Sequence, residues 1–302
     1  MSEIWAISEK TATLLELVAH AKVLVKDEQI VAFAFSPEEA ETVASHGADK
    51  VIHLQGEGRP EAWVDKIIEL ANSAKPAAIL WGTSKRAKEM AARVSAALNT
   101  GLISECFNLE RTEEFIGERY IYGGLCVSTE ASSSQPFMAT VSAKTIEALP
   151  EGFKANIAVL AGANEVYQVK ELRQSQASSN LGEAGVVVCV GRGISKKEDI
   201  ELARRLAKAL KGEVGCTRPV AEDLDWMPEE YYIGISGQTV KPSLYFGIGV
   251  SGQIQHVSGI RDSKVVIAIE KNENAPILEA ADYILLGDLY EILPALLKAL
   301  SA

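Results

Sequence analysis

Short apolar runs alternate with amphipathic helical patterns along most of this chain, which restricts it to a largely parallel sheet with helices on its faces. In the first half, strands are predicted over residues 4–7, 30–35, 51–54 and 77–81, with helices over 12–24, 61–73 and 83–98. Ser36-Pro37-Glu38-Glu39 starts a further helix: a hydroxyl cap, a proline in the first turn and a carboxylate three residues past the cap. Gly47 ends it. From Leu102 the rhythm shifts to short alternating runs, 120–127 and 137–143, which predict antiparallel strands added to the sheet, with Gly123-Gly124 as a bulge or turn. Residues 157–169 predict one more strand pair.

A stretch rich in Gln, Ser, Asn and Gly, 173–185, then marks a boundary, and the strand–helix alternation restarts beyond it. At 302 residues the chain exceeds one ordinary domain. The expected fold class is α/β with two domains, 1–180 and 181–302, each built on a mostly parallel sheet flanked by helices, the second doubly wound. In the second half, strands are predicted over 186–190, 214–217, 265–269 and 283–286. Ser195 and Glu198 form a predicted capping box for a helix closed by Gly212, and a last helix runs through Leu297.

Composition removes several classes of function. A net charge of −11 opposes broad nucleic-acid binding, which needs clustered Lys and Arg. No apolar run has membrane-spanning length, and the first residues lack the basic start and apolar core of a signal peptide, so a cytoplasmic protein with no membrane span is expected. Cys106, Cys126, Cys189 and Cys216 lie far apart, which opposes a zinc knuckle or a redox dithiol and predicts buried reduced thiols. Lys85, Arg86 and Lys88 crowd the first turn of a helix, where the dipole favours carboxylates. They read as a solvated charged face, or as a contact for an anionic ligand or an acidic partner.

The chemistry gathers in residues 244–259. An apolar run breaks at Gly249 and Gly252 into a tight turn followed by a helix start, so glycines let the backbone approach a ligand and free N–H groups attract phosphate. Two readings of His256 stand here, a ligand contact or a satisfied core imidazole. In an open parallel sheet ligands lie beyond the carboxyl ends of the strands, and Arg192, Arg218, Ser236, Ser251, His256 and Asp288 fall there. Together they suit a dinucleotide: arginines and glycine turns for a pyrophosphate, a carboxylate for a ribose. No Gly-x-Gly-x-x-Gly follows the first strand of either half, which disfavours a standard nicotinamide-binding unit.

The ordered set Gly191-Arg192-Gly193, Thr217-Arg218-Pro219, Ser236-Gly237, Ser251-Gly252-Gln253-Ile254-Gln255-His256, Ala275-Pro276-Ile277, Ala281-Asp282-Tyr283 and Gly287-Asp288-Leu289 resembles the alpha subunit of electron transfer flavoproteins. Gly47-Ala48-Asp49-Lys50-Val51, Thr100-Gly101-Leu102 and Tyr122-Gly123-Gly124 extend the resemblance over nearly the whole chain. It implies one non-covalent FAD in the second domain and a first domain packed against a homologous beta subunit, in a heterodimer. Carried over by residue, it implies that Arg192, Thr217, Ile233, Gly234, Ile235, Ser236, Ser251, Gly252, Gln253, Ile254, Gln255, His256, Asp288 and Leu289 line the FAD. Ser251 faces the pyrophosphate and Asp288 the ribose in this reading. Arg218 lies near the isoalloxazine, Ser236 at its N5 edge and His256 at a pyrimidine carbonyl, where a cation or donor stabilises added electrons.

Three departures accompany the matches. Ile235-Ser236-Gly237 replaces the family's common Gln-Thr-Gly, Glu270 replaces an asparagine that usually contacts adenosine, and Lys85-Arg86 with Thr140-Val141-Ser142 differ near the implied interface, pointing to a matched partner subunit. The implied function is electron carriage rather than catalysis on a substrate of its own. FAD would link a dehydrogenase, of acyl-CoA type, to a further acceptor such as a quinone oxidoreductase or a ferredoxin. The alternatives are the alpha subunit of an NADH-using bifurcating complex and an adenine-nucleotide-binding module without redox function.

Overall fold

The computed structural model describes residues 2–56, 59–142, 146–162, 171 and 180–300. They belong to two compact units, 1–171 and 172–302, each built on its own sheet. In the N-terminal unit β1 (Glu3–Ile7), β2 (Gln29–Ala34), β3 (Lys50–Gln55) and β4 (Ala78–Trp81) alternate with α1 (Thr11–Leu24), α2 (Pro37–Ala44), α3 (Val64–Ala74) and α4 (Lys85–Ala97). Then come β5 (Leu102–Arg111), β6 (Phe115–Ile121), β7 (Cys126–Ser132), β8 (Phe137–Val141) and β9 (Asn156–Ala161), giving the sheet order β7-β6-β5-β8-β4-β1-β2-β3-β9.

Alternate residues of the inner strands feed two cores. Ile4, Ala6, Ile30, Ala32, Leu80 and Ala139 pack with Leu14, Leu17 and Val18 of α1 and with Val43 of α2. Trp5, Ile7, Val31, Phe33 and Trp81 point to the opposite face, with Ile67 of α3 and Met90 and Val94 of α4. Trp5, Trp63 and Trp81 are essentially fully buried, each worth about 2–3 kcal/mol of transfer free energy. The predicted start of α2 holds. Ser36 Oγ accepts from Glu39 N–H at 3.1 Å, and Glu39 Oε2 accepts from Phe35 N–H at 2.7 Å.

Several expectations need correction. The run 120–127 is the end of β6, a turn over Tyr122–Gly124 and the start of β7, because Gly123 and Gly124 take positive φ and reverse the chain. The 137–143 run is not antiparallel: β8 pairs in parallel with both β4 and β5, and its residues are all buried, the mark of an inner parallel strand. Residues 163–169 of the strand pair predicted over 157–169 lie outside the described residues, as does most of the stretch 173–185. Cys126 is exposed, unlike Cys106, Cys189 and Cys216. Thr140 faces inward rather than toward a partner: it is 1% exposed, and its Oγ1 accepts from Glu105 N–H at 2.7 Å where β5 bulges. The basic first turn of α4 is capped by Ser84, with Arg86 3.5 Å from Glu61 and Lys88 paired to Glu105.

The C-terminal unit runs β10 (Val186–Val190), α5 (Ile200–Ala209), β11 (Glu213–Cys216), β12 (Leu244–Ile248), α6 (Ile254–Val257), β13 (Val266–Glu270), α7 (Ile277–Ala280), β14 (Tyr283–Leu286) and α8 (Leu289–Leu300). All pairs in the order β11-β10-β12-β13-β14 are parallel, so the carboxyl ends share one edge and the order reverses between β10 and β12. Val188, Val190, Phe246 and Ile248 face α5 and α8, while Val187, Cys189 and Tyr245 face Ile233, Val250 and Ile277. The Ser195 capping box is not formed. A tight turn over Lys197–Asp199 precedes α5, and Ser195 N–H instead donates to Tyr290 Oη at 2.9 Å.

Candidate cofactor site

At the order reversal the backbones leaving β10 and β12 touch. Gly191 N–H donates to the Ile248 carbonyl at 2.9 Å and Gly193 N–H to the Gly249 carbonyl at 3.0 Å. A Cβ on residue 191 would lie 2.1 Å from the Gly249 oxygen, so no side chain fits between them. Gly249 and Gly252 have φ of +58° and +79°, a left-handed conformation that glycine adopts without penalty. The turn they shape leaves the N–H groups of Ser251, Gly252 and Gln253 without an acceptor among the described residues. Successive unpaired amides in such a turn form an anion-binding concavity. The expected helix N-terminus contributes little here, since α6 is a single turn and its dipole is correspondingly small.

The other expected residues line the same edge. Thr217 N–H donates to the Val190 carbonyl and Ile233 N–H to the Cys216 carbonyl, both at 2.9 Å, joining the ends of β10 and β11 to the segment 233–236. Ile235 N–H donates to the Gln255 carbonyl at 2.9 Å, which places 233–236 beside the turn after β12. Ser236, Ser251, Gln253, Gln255 and Arg192 are exposed, as is Ile254, whereas Ile233 and Gly234 are buried in the wall. Arg192 has no ion pair among the described residues, leaving its charge available to an anion. Arg218 is exposed too, but its Nε donates to Glu222 Oε2 at 2.5 Å, and that carboxylate raises the guanidinium pKa. Its cation is partly compensated, as in the structural ion pair that is the alternative to a direct role at the ring.

His256 resolves toward the core reading. It is buried, with Nε2 2.7 Å from Tyr245 Oη and Nδ1 2.9 Å from the Ile233 carbonyl, and Cys189 Sγ lies 4.0 Å from Nε2. Burial pushes its pKa down to about 4 against the raising effect of the Ile233 carbonyl, so the ring is neutral at pH 7. Both ring nitrogens are committed inside the protein. The expected direct donation to a flavin carbonyl therefore does not follow from this geometry.

At the far end of the edge, Glu270 Oε1 accepts from Lys271 N–H at 2.9 Å and Asn272 N–H at 3.0 Å, turning the chain after β13 instead of projecting freely. Gly287 N–H donates to the Glu270 carbonyl at 3.1 Å, so Glu270 and Asp288 end neighbouring strands. Asp288 caps α8 by accepting from Tyr290 N–H at 2.8 Å, and Leu289 is buried beneath it. Sequence reasoning missed Tyr245 and Tyr290. The signal for Tyr245 was available: a phenol inside an apolar strand has to find a hydrogen-bond partner. The donor set, unpaired amides with a free arginine and exposed hydroxyls, fits a pyrophosphate-bearing cofactor such as FAD.

Comparison with known proteins agrees with this arrangement. Residues 8–171 match the family model described as the electron transfer flavoprotein domain, and residues 180–261 match the electron transfer flavoprotein FAD-binding domain. The chain is 32% identical over 311 residues to a protein of Escherichia coli (strain K12) named electron transfer flavoprotein subunit YdiR, covering 100% of this chain and 99% of that one. It is 33% identical over 315 residues to Protein FixB of Salmonella typhimurium, covering 99% and 98%, and 33% identical over 310 residues to Protein FixB of Escherichia coli O6:K15:H31, with the same coverage. With both halves matched in order and the relatives aligned end to end, this chain belongs to the electron transfer flavoprotein family as an alpha-type subunit.

Proposed function

We propose that this chain is the FAD-holding subunit of a heterodimeric electron carrier that passes electrons between a dehydrogenase, of acyl-CoA type, and a further redox acceptor. The observation that carries the site is the turn 251–253, whose three amides have no acceptor among the described residues, on the edge that also bears the exposed guanidinium of Arg192. FAD when bound supplies a ring that takes up and releases electrons. The amides of Ser251, Gly252 and Gln253 with Arg192 hold the pyrophosphate in this reading, as fixed dipoles and one mobile charge. Asp288 accepts from a ribose hydroxyl through the oxygen not used in its cap. Ser236 and Arg218 serve the ring, the arginine with a charge already tempered by Glu222. His256 supports them from beneath rather than acting as a cation.

The decisive measurement is the visible spectrum and flavin content of the full chain co-produced with its partner subunit. One FAD per heterodimer with no NADH oxidation is expected. A colourless complex that takes up no added FAD rejects the reading, and a second flavin with NADH turnover replaces it with a bifurcating complex.

A further inference from the structure

Residues 233–236 and 251–256 come from different parts of the chain and meet over one imidazole. The Ile233 carbonyl has only lone pairs, so the hydrogen in its 2.9 Å contact belongs to His256 Nδ1. The ring is neutral, because burial lowers its pKa to about 4, so Nε2 carries a lone pair. The hydrogen in the 2.7 Å contact therefore belongs to the Tyr245 phenol. Tyr245 sits within β12 with no exposed surface, and burial raises its pKa well above the ordinary value, which keeps it a donor. Cys189 on the neighbouring β10 brings its thiol to 4.0 Å from Nε2, a second and much weaker donor than the phenol, its pKa also raised by burial. The contacts form one line from sheet to phenol to imidazole to loop.

We propose that Tyr245 is a positioning residue of the cofactor site, fixing His256 as the Nδ1–H tautomer and so bracing residues 233–236 against the turn 251–256. The brace lies behind the surface that bears Ser236 and Ser251, so Tyr245 touches no ligand and acts through the histidine. Removing the phenol hydroxyl leaves buried Nε2 with only the weak thiol donor of Cys189, 4.0 Å away, and the imidazole then gains by changing tautomer or by turning away from Ile233. Either change releases the loop that carries Ser236. The functional consequence rests on the flavin reading above, while the tautomer is a property of the protein alone.

The experiment uses the full chain with its partner subunit, labelled with 15N-histidine. The sequence has 4 histidines, and a His256→Gln variant identifies the resonances of interest. The wild type is expected to show a protonated Nδ1 and an unprotonated, hydrogen-bonded Nε2, with or without FAD. Tyr245→Phe is expected to disturb that pattern and to raise the FAD dissociation constant about tenfold, the effect of one lost buried hydrogen bond. In a His256→Gln background the same substitution should change FAD affinity little, because the residue through which it acts is gone. An Nε2-protonated ring in the wild type overturns the proposal without recourse to any variant. Equal weakening by Tyr245→Phe in both backgrounds also overturns it, leaving the tyrosine as packing. A protein that binds no FAD removes the flavin reading, and the wild-type tautomer then decides the brace by itself.

Discussion

The N-terminal sheet reverses its strand order between β1 and β4 much as the C-terminal sheet does between β10 and β12, yet the polar groups at the two edges are spent differently. Beyond β1, Ser8 is buried and its Oγ accepts from Lys10 N–H at 3.1 Å, and the neighbouring cleft is lined by Glu9, Thr11, Ser36, Glu39 and Arg86. Glu39 is committed to capping α2, and burial raises its pKa. Two carboxylates meet one arginine at that edge, and the arginine lies 3.5 Å from Glu61, so it offers an anion no unshared cation. Beyond β12, among the described residues, three amides have no acceptor and Arg192 has no ion pair. A reversal of strand order opens an edge in both units. The direction of the amides and the sign of the unpaired charge decide whether an anion is held there.

The largest expected effect comes from closing the C-terminal edge. Gly191→Ala should cost about 3 kcal/mol and abolish FAD retention, since backbone stands in the way of the added carbon. Gly82→Ala, just past β4, meets Ser8 Oγ at 3.0 Å and Thr13 Cγ2 at 3.1 Å, side-chain atoms rather than backbone and at longer range, and should cost less, about 1 kcal/mol. Urea unfolding separates the units, with Trp226 reporting on one and Trp5, Trp63 and Trp81 on the other. Equal losses would erase the contrast.

Next in size is the charge itself. Arg192→Gln should weaken FAD binding about tenfold, roughly 1.4 kcal/mol, while Arg86→Gln at the edge of the N-terminal unit's own sheet leaves it unchanged. Quenching of flavin fluorescence on titration measures both. A response to Arg86→Gln, or none to Arg192→Gln, would break the assignment of the anion to the C-terminal edge.

The smallest effect belongs to an ion pair that serves stability alone. Arg111 Nη2 lies 2.8 Å from Glu28 Oε1, and the hydrogen bond from that guanidinium draws the carboxyl pKa from 4.5 to about 2. The folded pKa lies below the unfolded one, so the pair's stabilisation is complete above about pH 4.5 and is lost as pH falls toward 2. Glu28→Gln should cost about 1 kcal/mol at pH 7 and flatten the N-terminal unit's stability across that acidic window, leaving FAD affinity untouched. A pH profile identical to wild type would show that Glu28 carries no such linkage.

Much of the fold was legible in residue order. The inner strands are apolar runs bounded by turn residues, so 283–286 was placed to the residue and most others within one or two. Ser36 revealed its helix because a cap is a local bond between residues three apart. Ser195 misled for the complementary reason: the same spacing is present, but Tyr290, distant in sequence, takes its backbone N–H. The 137–143 run was misassigned because strand direction depends on neighbours, and β8 lies between β4 and β5.

At the site, the sequence by itself determined which residues gather beyond the strand ends, since a parallel sheet sends every carboxyl end to one edge and glycines mark where backbones must approach. What tertiary structure alone decided was how each side chain is spent. His256 turned inward because Tyr245 and the Ile233 carbonyl satisfy both ring nitrogens, and Arg218 acquired Glu222 while Arg192 has no counterion among the described residues. Hydrogen bonds and desolvation depend on distances of a few ångströms between residues far apart in the chain. Sequence spacing does not encode those distances, so turn 251–253 was recognisable from its glycines but its unpaired amides were visible only in the fold.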